Sequence, residues 1–352
     1  MKILILALSG IGDALMFTPA LNLLRETLPK AQIDALVMFK GAKDIYERNP
    51  DINNVIFFNL IKEGSAQSLR FVLGLRGKYD ISINVYPSNR KEYNLISFLI
   101  GAKKRAAVKY LRKDIQNLGF LNNVSITEDD SRHNVLTNIM LCEELLNKKF
   151  TEQPPLDFRL TREDNTYAKD FISSISIKEN DLVVGFHPGS ATLKNHTKRR
   201  WEPEKFARLA QLLIEDHNAK ILIFGGSDEN ELKEKINSQI NSSHSFIVNN
   251  NNIAQTAAIM QRCNVFVTND SSLMHVASSL KLKVVAILGP TNPDYIHPWK
   301  TEHRIVRLEL DCSPCFIYSP RPLICFRNDV LFKCIKELTV EMAYKEVLNL
   351  LS

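Results

Sequence analysis

The sequence begins without a hydrophobic run long enough to cross a membrane. Residues 1–8 are apolar apart from Lys2, but the run stops at Ser9 and Gly10, whereas a membrane-spanning helix needs about 20 apolar residues. The same segment lacks the cleavage pattern of a secretory signal peptide. We therefore expect a first β-strand here and a cytoplasmic protein.

The chain also lacks a strong excess of charge of either sign. Its 352 residues include 45 Lys and Arg against 39 Asp and Glu, a net charge of +6, which is too small to indicate nucleic-acid binding by itself. The basic residues are concentrated in residues 103–113 and 194–200. Such clusters are typical of solvated surface, and they would equally suit a phosphate-rich acceptor at an anionic membrane surface.

A complete dinucleotide-binding fingerprint is missing as well. Ser-Gly-Ile-Gly-Asp follows the first predicted strand at residues 9–13, but position 15 is Leu where Gly-x-Gly-x-x-Gly requires its third glycine. The two glycines still permit a tight turn or a close approach of the backbone to a ligand. Thr18 followed by Pro19 is typical of an N-cap and the first position of a helix, so this pair predicts where the first helix begins.

The most informative stretch that is present lies at residues 265–291. Its two unbroken apolar runs, 265–268 and 284–288, are typical of parallel strands buried on both faces. Asn-Asp-Ser-Ser at 269–272 follows the first run, and the carboxyl ends of such strands are where open α/β sheets bind ligands. Hydroxyls and free N–H groups at a helix start suit an anion. The alternative interpretation is an ordinary N-cap on a core helix.

The order of residues in this stretch resembles a known family. Thr-Asn-Asp-Ser-x-x-x-His-x-Ala begins at Thr268, and a strand and Gly-Pro-Thr follow it. This is similar to the donor-site signature of glycosyltransferase family 9, the ADP-heptose:lipopolysaccharide heptosyltransferases. The resemblance implies that the nucleotide sugar contacts a set of residues in this stretch: Thr268, Asp270, Ser271, Ser272, Met274 and His275.

Two further motifs of the family have counterparts here. Its first loop reads Gly-x-Gly-Asp, which places Gly12 in the donor-binding set and makes Asp13 the candidate catalytic base. Family members also carry Pro-Gly-Ser and then Lys-Arg-Trp, which implies that Ser190 and a following cation meet the pyrophosphate. This chain has Arg-Arg-Trp with a lysine one place earlier, so the choice between Lys198 and Arg199 stays open.

A ribose contact is predicted from position alone. An acidic residue just past the second strand of a nucleotide-binding unit commonly takes the ribose hydroxyls, and Gly226, Asp228 and Glu229 follow the strand predicted at residues 220–224. Asp228 is the first candidate for this contact and Glu229 is the second, and Gly226 joins the donor-binding set. Favourable negative charge at a helix N-terminus explains the same acids equally well.

The alternation of strands and helices predicts an α/β protein with two domains. The resemblance implies the GT-B fold, in which two doubly wound Rossmann-like domains face a central cleft. We place an acceptor-binding domain at residues 1–165 and a nucleotide-sugar-binding domain at residues 166–352, which includes a tail helix. Residues 156–160 are expected to add one more strand near the boundary.

Four of the six cysteines fall in the short segment 311–334. Cys-x-x-Cys followed by two more cysteines can bind zinc or iron tetrahedrally, and the four candidate ligands are Cys312, Cys315, Cys325 and Cys334. The spacing between the last two is longer than in compact zinc ribbons, so a reduced, buried cluster is the alternative. We predict in either case that the four thiols lie close together.

The resemblance implies an inverting glycosyltransferase that moves heptose from ADP-heptose to a lipopolysaccharide core or related glycan. No cofactor is expected for catalysis, because cations and helix N-termini can carry the leaving-group charge. The expected partners are the ADP-sugar and the glycan acceptor, with peripheral contact to the cytoplasmic face of the inner membrane and no nucleic acid. An NAD-dependent dehydrogenase and a non-catalytic nucleotide-sugar-binding protein are the alternatives.

Overall fold

The computed structural model describes residues 1–250, 252–318 and 321–352. The chain forms two compact units. The first contains Met1–Arg159 together with Tyr318, and the second contains Leu160–Ile317 and Arg321–Ser352.

The first unit is built on a parallel six-stranded sheet. Its strands are ordered β3-β2-β1-β4-β5-β6, so the order reverses between β1 and β4. The strands are β1 (Lys2–Ala7), β2 (Gln32–Val37), β3 (Asn54–Phe57), β4 (Ile81–Asn84), β5 (Lys104–Lys109) and β6 (Val124–Thr127). The helices are α1 (Ile11–Thr27), α2 (Lys40–Glu47), α3 (Ser65–Gly74), α4 (Lys91–Ile100) and α5 (Asn134–Leu146).

The second unit repeats this topology. Its parallel strands are ordered β12-β11-β10-β7-β8-β9, and the order reverses between β7 and β10. The strands are β7 (Val183–His187), β8 (Lys220–Ile223), β9 (Ser245–Ile247), β10 (Val265–Asn269), β11 (Lys283–Ile287) and β12 (His303–Val306). The helices are α6 (Arg162–Ser174), α7 (Pro203–His217), α8 (Asn230–Ile240), α9 (Ile253–Met260), α10 (Ser272–Ser279), α11 (Pro293–Ile296), α12 (Lys333–Lys336) and α13 (Val340–Leu351).

Unbroken apolar runs form the central strands, as the sequence predicts. All five residues of β10 are buried, as are the last five residues of β1, because helices cover both faces of a parallel sheet. The tail helix α13 packs on the second sheet, where Val340, Ala343 and Val347 join its core. The doubly wound architecture expected for each half is therefore present.

The predicted start of the first helix is wrong. α1 begins at Ile11, and Pro19 lies inside it. A proline has no N–H to donate to the carbonyl four residues before it, but the hydroxyl of Thr18 donates to that carbonyl, on Leu15, at 2.7 Å. Thr18 therefore supplies the missing donor within the helix instead of capping its start.

The strand expected at residues 156–160 is also absent, since the described chain has no strand between β6 and β7. The backbone N–H of Asp157 instead donates to the hydroxyl of Thr18 at 2.9 Å. This bond fixes the segment against α1 and replaces a strand partner. Within the described residues, no helix is both long and apolar enough to span a bilayer.

Candidate functional site

The candidate donor site lies where the strand order of the second unit reverses. β7 and β10 are neighbours there, and along the chain β7 is followed by α7 and β10 by α10. In open α/β sheets, such a reversal leaves a crevice at the carboxyl ends of the strands, and ligands bind there. The loops after β7, β8, β10 and β11 supply the side chains described next.

A buried ion pair joins the loop after β7 to the loop after β10. The Nη1 of Arg199 donates to Oδ2 of Asp270, and the hydroxyl of Thr291 donates to the same oxygen at 2.6 Å. Arg199 also donates through Nη2 to Nδ1 of His196 at 3.1 Å, and its guanidinium lies 5.2 Å from the ring centroid of Phe316. Burial and the charge of Arg199 lower the pKa of His196 to about 4, so this imidazole is neutral near pH 7 and accepts the bond.

The guanidinium of Arg199 is not fully satisfied by these contacts. Its Nε is buried and has no hydrogen-bond partner among the described residues. Trp201 holds the adjoining backbone, since its N–H donates to Oδ1 of Asn269 at 3.0 Å and its ring is buried. Arg199 is therefore held in place with one buried hydrogen-bond donor that no described residue fills.

A second polar network crosses the same strand ends. The ring of His187 bonds Oγ of Ser271 through Nδ1 at 2.8 Å and Oε2 of Glu229 through Nε2 at 3.1 Å. Arg200 donates to the other oxygen of Glu229 at 3.2 Å. Burial would raise the pKa of Glu229, but the hydrogen bond and charge of His187, the N–H of Gly226 and the charge of Arg200 together lower it. Glu229 is therefore an anchored anion at the core of this network.

Two glycines allow the loops to approach Glu229 closely. A Cβ added at Gly189 would lie 1.7 Å from Oε1 of Glu229, so no side chain fits there unless that carboxylate moves. The N–H of Gly226 donates to Oε2 of Glu229 at 3.0 Å. Ser190 follows the first glycine, and its hydroxyl donates to the carbonyl of His196 at 3.1 Å. Ser190 thus stabilises the loop that carries Arg199.

The start of α10 faces this network with its backbone donors. Ser271 is the N-cap residue, and its hydroxyl contacts His187 and Thr268. Within the described part of the chain, that hydroxyl makes no capping bond to the helix N–H groups. Ser272, the first helical residue, is half-buried. The helix N-terminus therefore keeps donors and a partial positive charge that suit a phosphate.

His275 lies one turn further along α10 and is buried with Met274. Burial lowers the pKa of His275 to about 4, against the opposing charge of Asp270. Its Nδ1 has no partner among the residues that the structure describes. A neutral imidazole with an unfilled nitrogen can accept or donate one hydrogen bond to a ligand.

The remaining residues predicted to bind the nucleotide sugar differ in how far they are exposed to solvent. Lys198 is exposed beside the buried Arg199, and Asp228 is exposed beside the buried Glu229. Sequence reasoning ranked the two acids by position alone, but the 3-10 helix Ser227–Glu229 turns only the second of them inward. Asp228 is the acid that faces solvent, and its contact with a ribose stays a prediction.

Three members of this network were not candidates in the sequence: His187, Arg200 and Thr291. Their contacts join residues 84, 29 and 21 positions apart, so local patterns cannot reveal them. Their signal in the sequence is position: His187 ends the apolar run of β7, and Thr291 closes the Gly-Pro-Thr that follows the apolar run of β11.

Asp13 lies at the corresponding reversal point of the first unit. It follows β1 in the first turn of α1, half-buried, and its Oδ2 accepts the N–H of Gly10 at 3.0 Å. Burial, with a further contribution from the charge of Asp13, raises the pKa of Tyr46, Tyr93 and Tyr110. The carboxylate therefore lies among three neutral phenols and also acts as a helix cap. Gly12 is buried beside it.

The sequence profile of glycosyltransferase family 9 (heptosyltransferase) matches residues 68–321. The chain belongs to this family. As a member of glycosyltransferase family 9, the protein is a transferase enzyme. This assignment removes the support for the dehydrogenase alternative.

Among relatives of this family 9 enzyme, lipooligosaccharide heptosyltransferase 2 of Campylobacter jejuni is 28% identical over 357 residues, which cover 100% of this chain and 98% of the relative. A family 9 glycosyltransferase from Veillonella parvula is 25% identical with a TM-score of 0.77, and the match covers 99% of this chain and 97% of that one. The E. coli heptosyltransferase WaaC with ADP is 17% identical, with a TM-score of 0.71 and coverage of 99% and 100%. These likenesses confirm the GT-B fold class.

The four clustered cysteines of this family 9 enzyme are free thiols. Burial, with further contributions from Cys315, Cys325 and Cys312, raises the pKa of Cys334 to about 11, so the four lie near enough to interact. Backbone N–H of Phe332 donates to the Sγ of Cys325 at 3.2 Å. Within the described residues, no group of three or more His, Cys, Asp or Glu is arranged to hold a metal ion.

Proposed function

We propose that the enzyme transfers heptose from ADP-heptose to a lipopolysaccharide core or related glycan, with inversion at the anomeric carbon. The observation that carries this proposal is the cluster of Arg199, Asp270 and the start of α10 at the reversal point of the second unit. It occurs in a family 9 chain whose fold is shared with a heptosyltransferase solved with ADP.

The donor's charged groups match the chemistry of this cluster. In our proposal, the pyrophosphate takes the N–H groups at Ser272 and the unfilled Nε of Arg199, and Lys198 adds an exposed cation next to it. The ion pair with Asp270 fixes the guanidinium before the donor arrives, so less side-chain entropy is lost on binding. In the same proposal, Asp228 accepts hydrogen bonds from the ribose hydroxyls, and the unfilled Nδ1 of His275 forms a hydrogen bond with the bound nucleotide.

Leaving-group stabilisation follows from the same donors. As the bond between the anomeric carbon and the phosphate oxygen breaks, negative charge grows on the ADP, and preorganised cations and helix N–H groups stabilise it. Lys198, Arg199 and α10 provide such charge, so we propose that catalysis needs no cofactor.

Asp13 is the proposed catalytic base. An acceptor hydroxyl must lose its proton as its oxygen attacks the anomeric carbon, and a carboxylate within hydrogen-bond reach can accept that proton. The bond from the acceptor oxygen to the anomeric carbon forms as the bond from that carbon to the phosphate oxygen breaks on the opposite side, so the configuration is inverted, ADP leaves and the proton passes to Asp13. The acceptor is assigned to the first unit, which carries Asp13 and Gly12.

The acceptor proposed here is anchored in a membrane by lipid. We accordingly propose that the enzyme works at the cytoplasmic face of the inner membrane. The alternative of a non-catalytic nucleotide-sugar-binding protein would bind the donor in the same cluster and differ only in turnover.

The cysteine segment is proposed to bind a structural zinc or iron. Four thiols supply soft ligands, although no three of them are arranged around one metal position in the described residues, so binding would have to draw them together. The N–H of Phe332 and Nη1 of Arg327, at 3.2 and 3.3 Å from Cys325 and Cys312, would stabilise thiolates. Metal analysis of protein purified without a histidine tag tests this. Substoichiometric zinc and iron together would reject it.

The transfer reaction is tested by incubating the enzyme with ADP-heptose and heptose-deficient lipopolysaccharide, and by NMR of the product. The proposal predicts a glycan extended by one heptose whose anomeric configuration is opposite to that of the donor. Retention of the anomeric configuration would rule out the single-displacement mechanism. Binding of the nucleotide sugar without any product would favour the non-catalytic alternative.

A further inference from the structure

The excess of basic over acidic residues in the chain falls in one segment. Residues 90–120 contain eight Lys and Arg and two acids, whereas the remaining 321 residues contain 37 basic and 37 acidic residues. The segment thus carries the whole net charge of +6. It comprises α4, β5 and the loop that follows them to the 3-10 helix Gly119–Leu121.

The same segment exposes large apolar side chains. Ile115 is 81% exposed, Phe120 is 66% exposed and Phe98 is 47% exposed, and Leu95 and Leu111 are exposed as well. Leu95 and Phe98 are three residues apart on α4 and therefore lie on one side of that helix. Exposed side chains of this size are costly in water unless a partner covers them.

These side chains belong to one face because α4 holds the loop beside it. The amide of Asn94 donates to the carbonyl of Asn117 at 2.7 Å and accepts from the amide of Asn122 at 2.8 Å. The guanidinium of Arg105 lies 5.7 Å from the ring centroid of Phe98. We call this surface the basic–apolar face: the exposed side chains of residues 90–120.

Asp130, outside the segment, offsets one surface cation, since it lies 3.2 Å from Arg112, whereas the acid in the loop does not. Asp114 is half-buried, and its Oδ1 accepts the backbone N–H of Tyr110 at 3.2 Å. Its backbone carbonyl accepts the N–H of Gly119. Asp114 thus closes the loop from inside, while Lys103 and Lys109 remain exposed. The other acid, Glu92, lies in the first turn of α4.

We propose that the basic–apolar face docks on an anionic phospholipid bilayer. Lys and Arg beside an anionic membrane gain electrostatic attraction, and apolar side chains at the same surface enter the boundary between headgroups and acyl chains. Nucleic acid would use the charge but would leave Ile115 and Phe120 in water. The inference rests on the proposed function and deepens it, since it names the surface through which the enzyme meets the membrane.

Flotation of the full-length protein with phosphatidylglycerol-containing vesicles and with pure phosphatidylcholine vesicles tests the proposal. We expect binding to the anionic vesicles only, weakening as salt is raised from about 0.05 M to 0.5 M because the charges are screened. The triple variant Phe98→Ser, Ile115→Ser, Phe120→Ser should lower the vesicle partition coefficient at least about tenfold, because it removes the apolar area that would be buried. Lys103→Ser with Lys109→Ser should weaken binding chiefly at low salt.

Phe57→Ser is the matched control. Phe57 is 46% exposed, nearly the same fraction as Phe98, but it lies on β3, at the opposite edge of the sheet from β5 and β6. The partition coefficient of Phe57→Ser should equal that of the unaltered protein.

Failure of the unaltered protein to bind anionic vesicles, or equal binding by the triple variant, overturns the proposal. A triple variant that changes the oligomeric state in light scattering while binding vesicles normally would instead assign the face to a second copy of the chain. ADP binding by calorimetry, measured on the same samples, reports separately on the proposed function.

Discussion

Arg199 and Asp270 form a buried ion pair between residues 71 positions apart in the chain. The pair joins the loop after β7 to the loop after β10, and Thr291 shares the carboxylate. Both residues were candidates for separate contacts to the donor, yet they contact each other. Asp270 therefore orients the cation, and the buried Nε of Arg199 has no hydrogen-bond partner among the described residues.

The first prediction concerns the stability of this pair. Arg199→Ala leaves the carboxylate of Asp270 buried without its cation, which should lower the free energy of unfolding by about 3–5 kcal/mol. Lys198→Ala is the matched control, because the neighbouring cation is exposed and its loss should change stability by less than about 0.5 kcal/mol. Denaturant unfolding measures both. Equal stability of the two variants would show that the pair contributes little to the folded state.

The second prediction uses the same control variant in a kinetic assay. If Lys198 meets the growing charge on the leaving phosphate, Lys198→Ala should cost about 2–4 kcal/mol of transition-state stabilisation while the protein stays folded. The ratio of kcat/KM for the unaltered enzyme and the variant reports this loss. Near-normal kcat/KM would leave Lys198 as solvated surface and assign the phosphate to Arg199 and α10.

The nucleotide preference gives a third prediction. We expect ADP to bind more tightly than UDP or GDP, in keeping with the family assignment, although no residue that reads the base is identified. Isothermal calorimetry with the three nucleotides measures the preference. Tighter binding of UDP would reject ADP-heptose as the donor and leave the fold assignment untouched.

The fourth prediction is a pH dependence of stability. The folded protein holds the pKa of His275 and of His196 at about 4, below the ordinary value of about 6.5. As pH falls through 6.5 the unfolded chain takes up protons that the folded chain refuses, so stability falls toward pH 4 by up to about 1.4 kcal/mol per pH unit for each histidine.

Unfolding measured between pH 7 and 5.5 tests this with His275→Gln beside the unaltered protein. The variant lacks one of the two protonations and should lose stability less steeply with falling pH. Identical slopes would mean that His275 titrates normally in the folded state.

The sequence predicted the parts of the molecule that local pattern determines. Unbroken apolar runs located β7, β8 and β10, since burial on both faces leaves no room for polar side chains. It could not predict which of Asp228 and Glu229 is buried, because that depends on His187, 42 residues away from Glu229. The prediction from Thr18 and Pro19 was wrong for a different reason. A Thr-Pro pair can begin a helix, but it can also lie inside one when the threonine hydroxyl replaces the N–H donor that proline lacks, as it does here.

The central claim is that Asp13 takes the acceptor proton, and Asp13→Asn tests it most directly. Asparagine can still accept the N–H of Gly10, which Asp13 accepts at 3.0 Å, but it is a very poor base. Asp164→Asn is the matched control, because Asp164 accepts the N–H of Thr161 at 2.8 Å in the equivalent position at the start of α6. Turnover with ADP-heptose and acceptor should fall by about 10²–10⁴-fold in Asp13→Asn, with donor binding and melting temperature little changed, and should stay normal in Asp164→Asn. Normal turnover by Asp13→Asn, or its unfolding, would contradict the account and leave Asp13 as a helix cap.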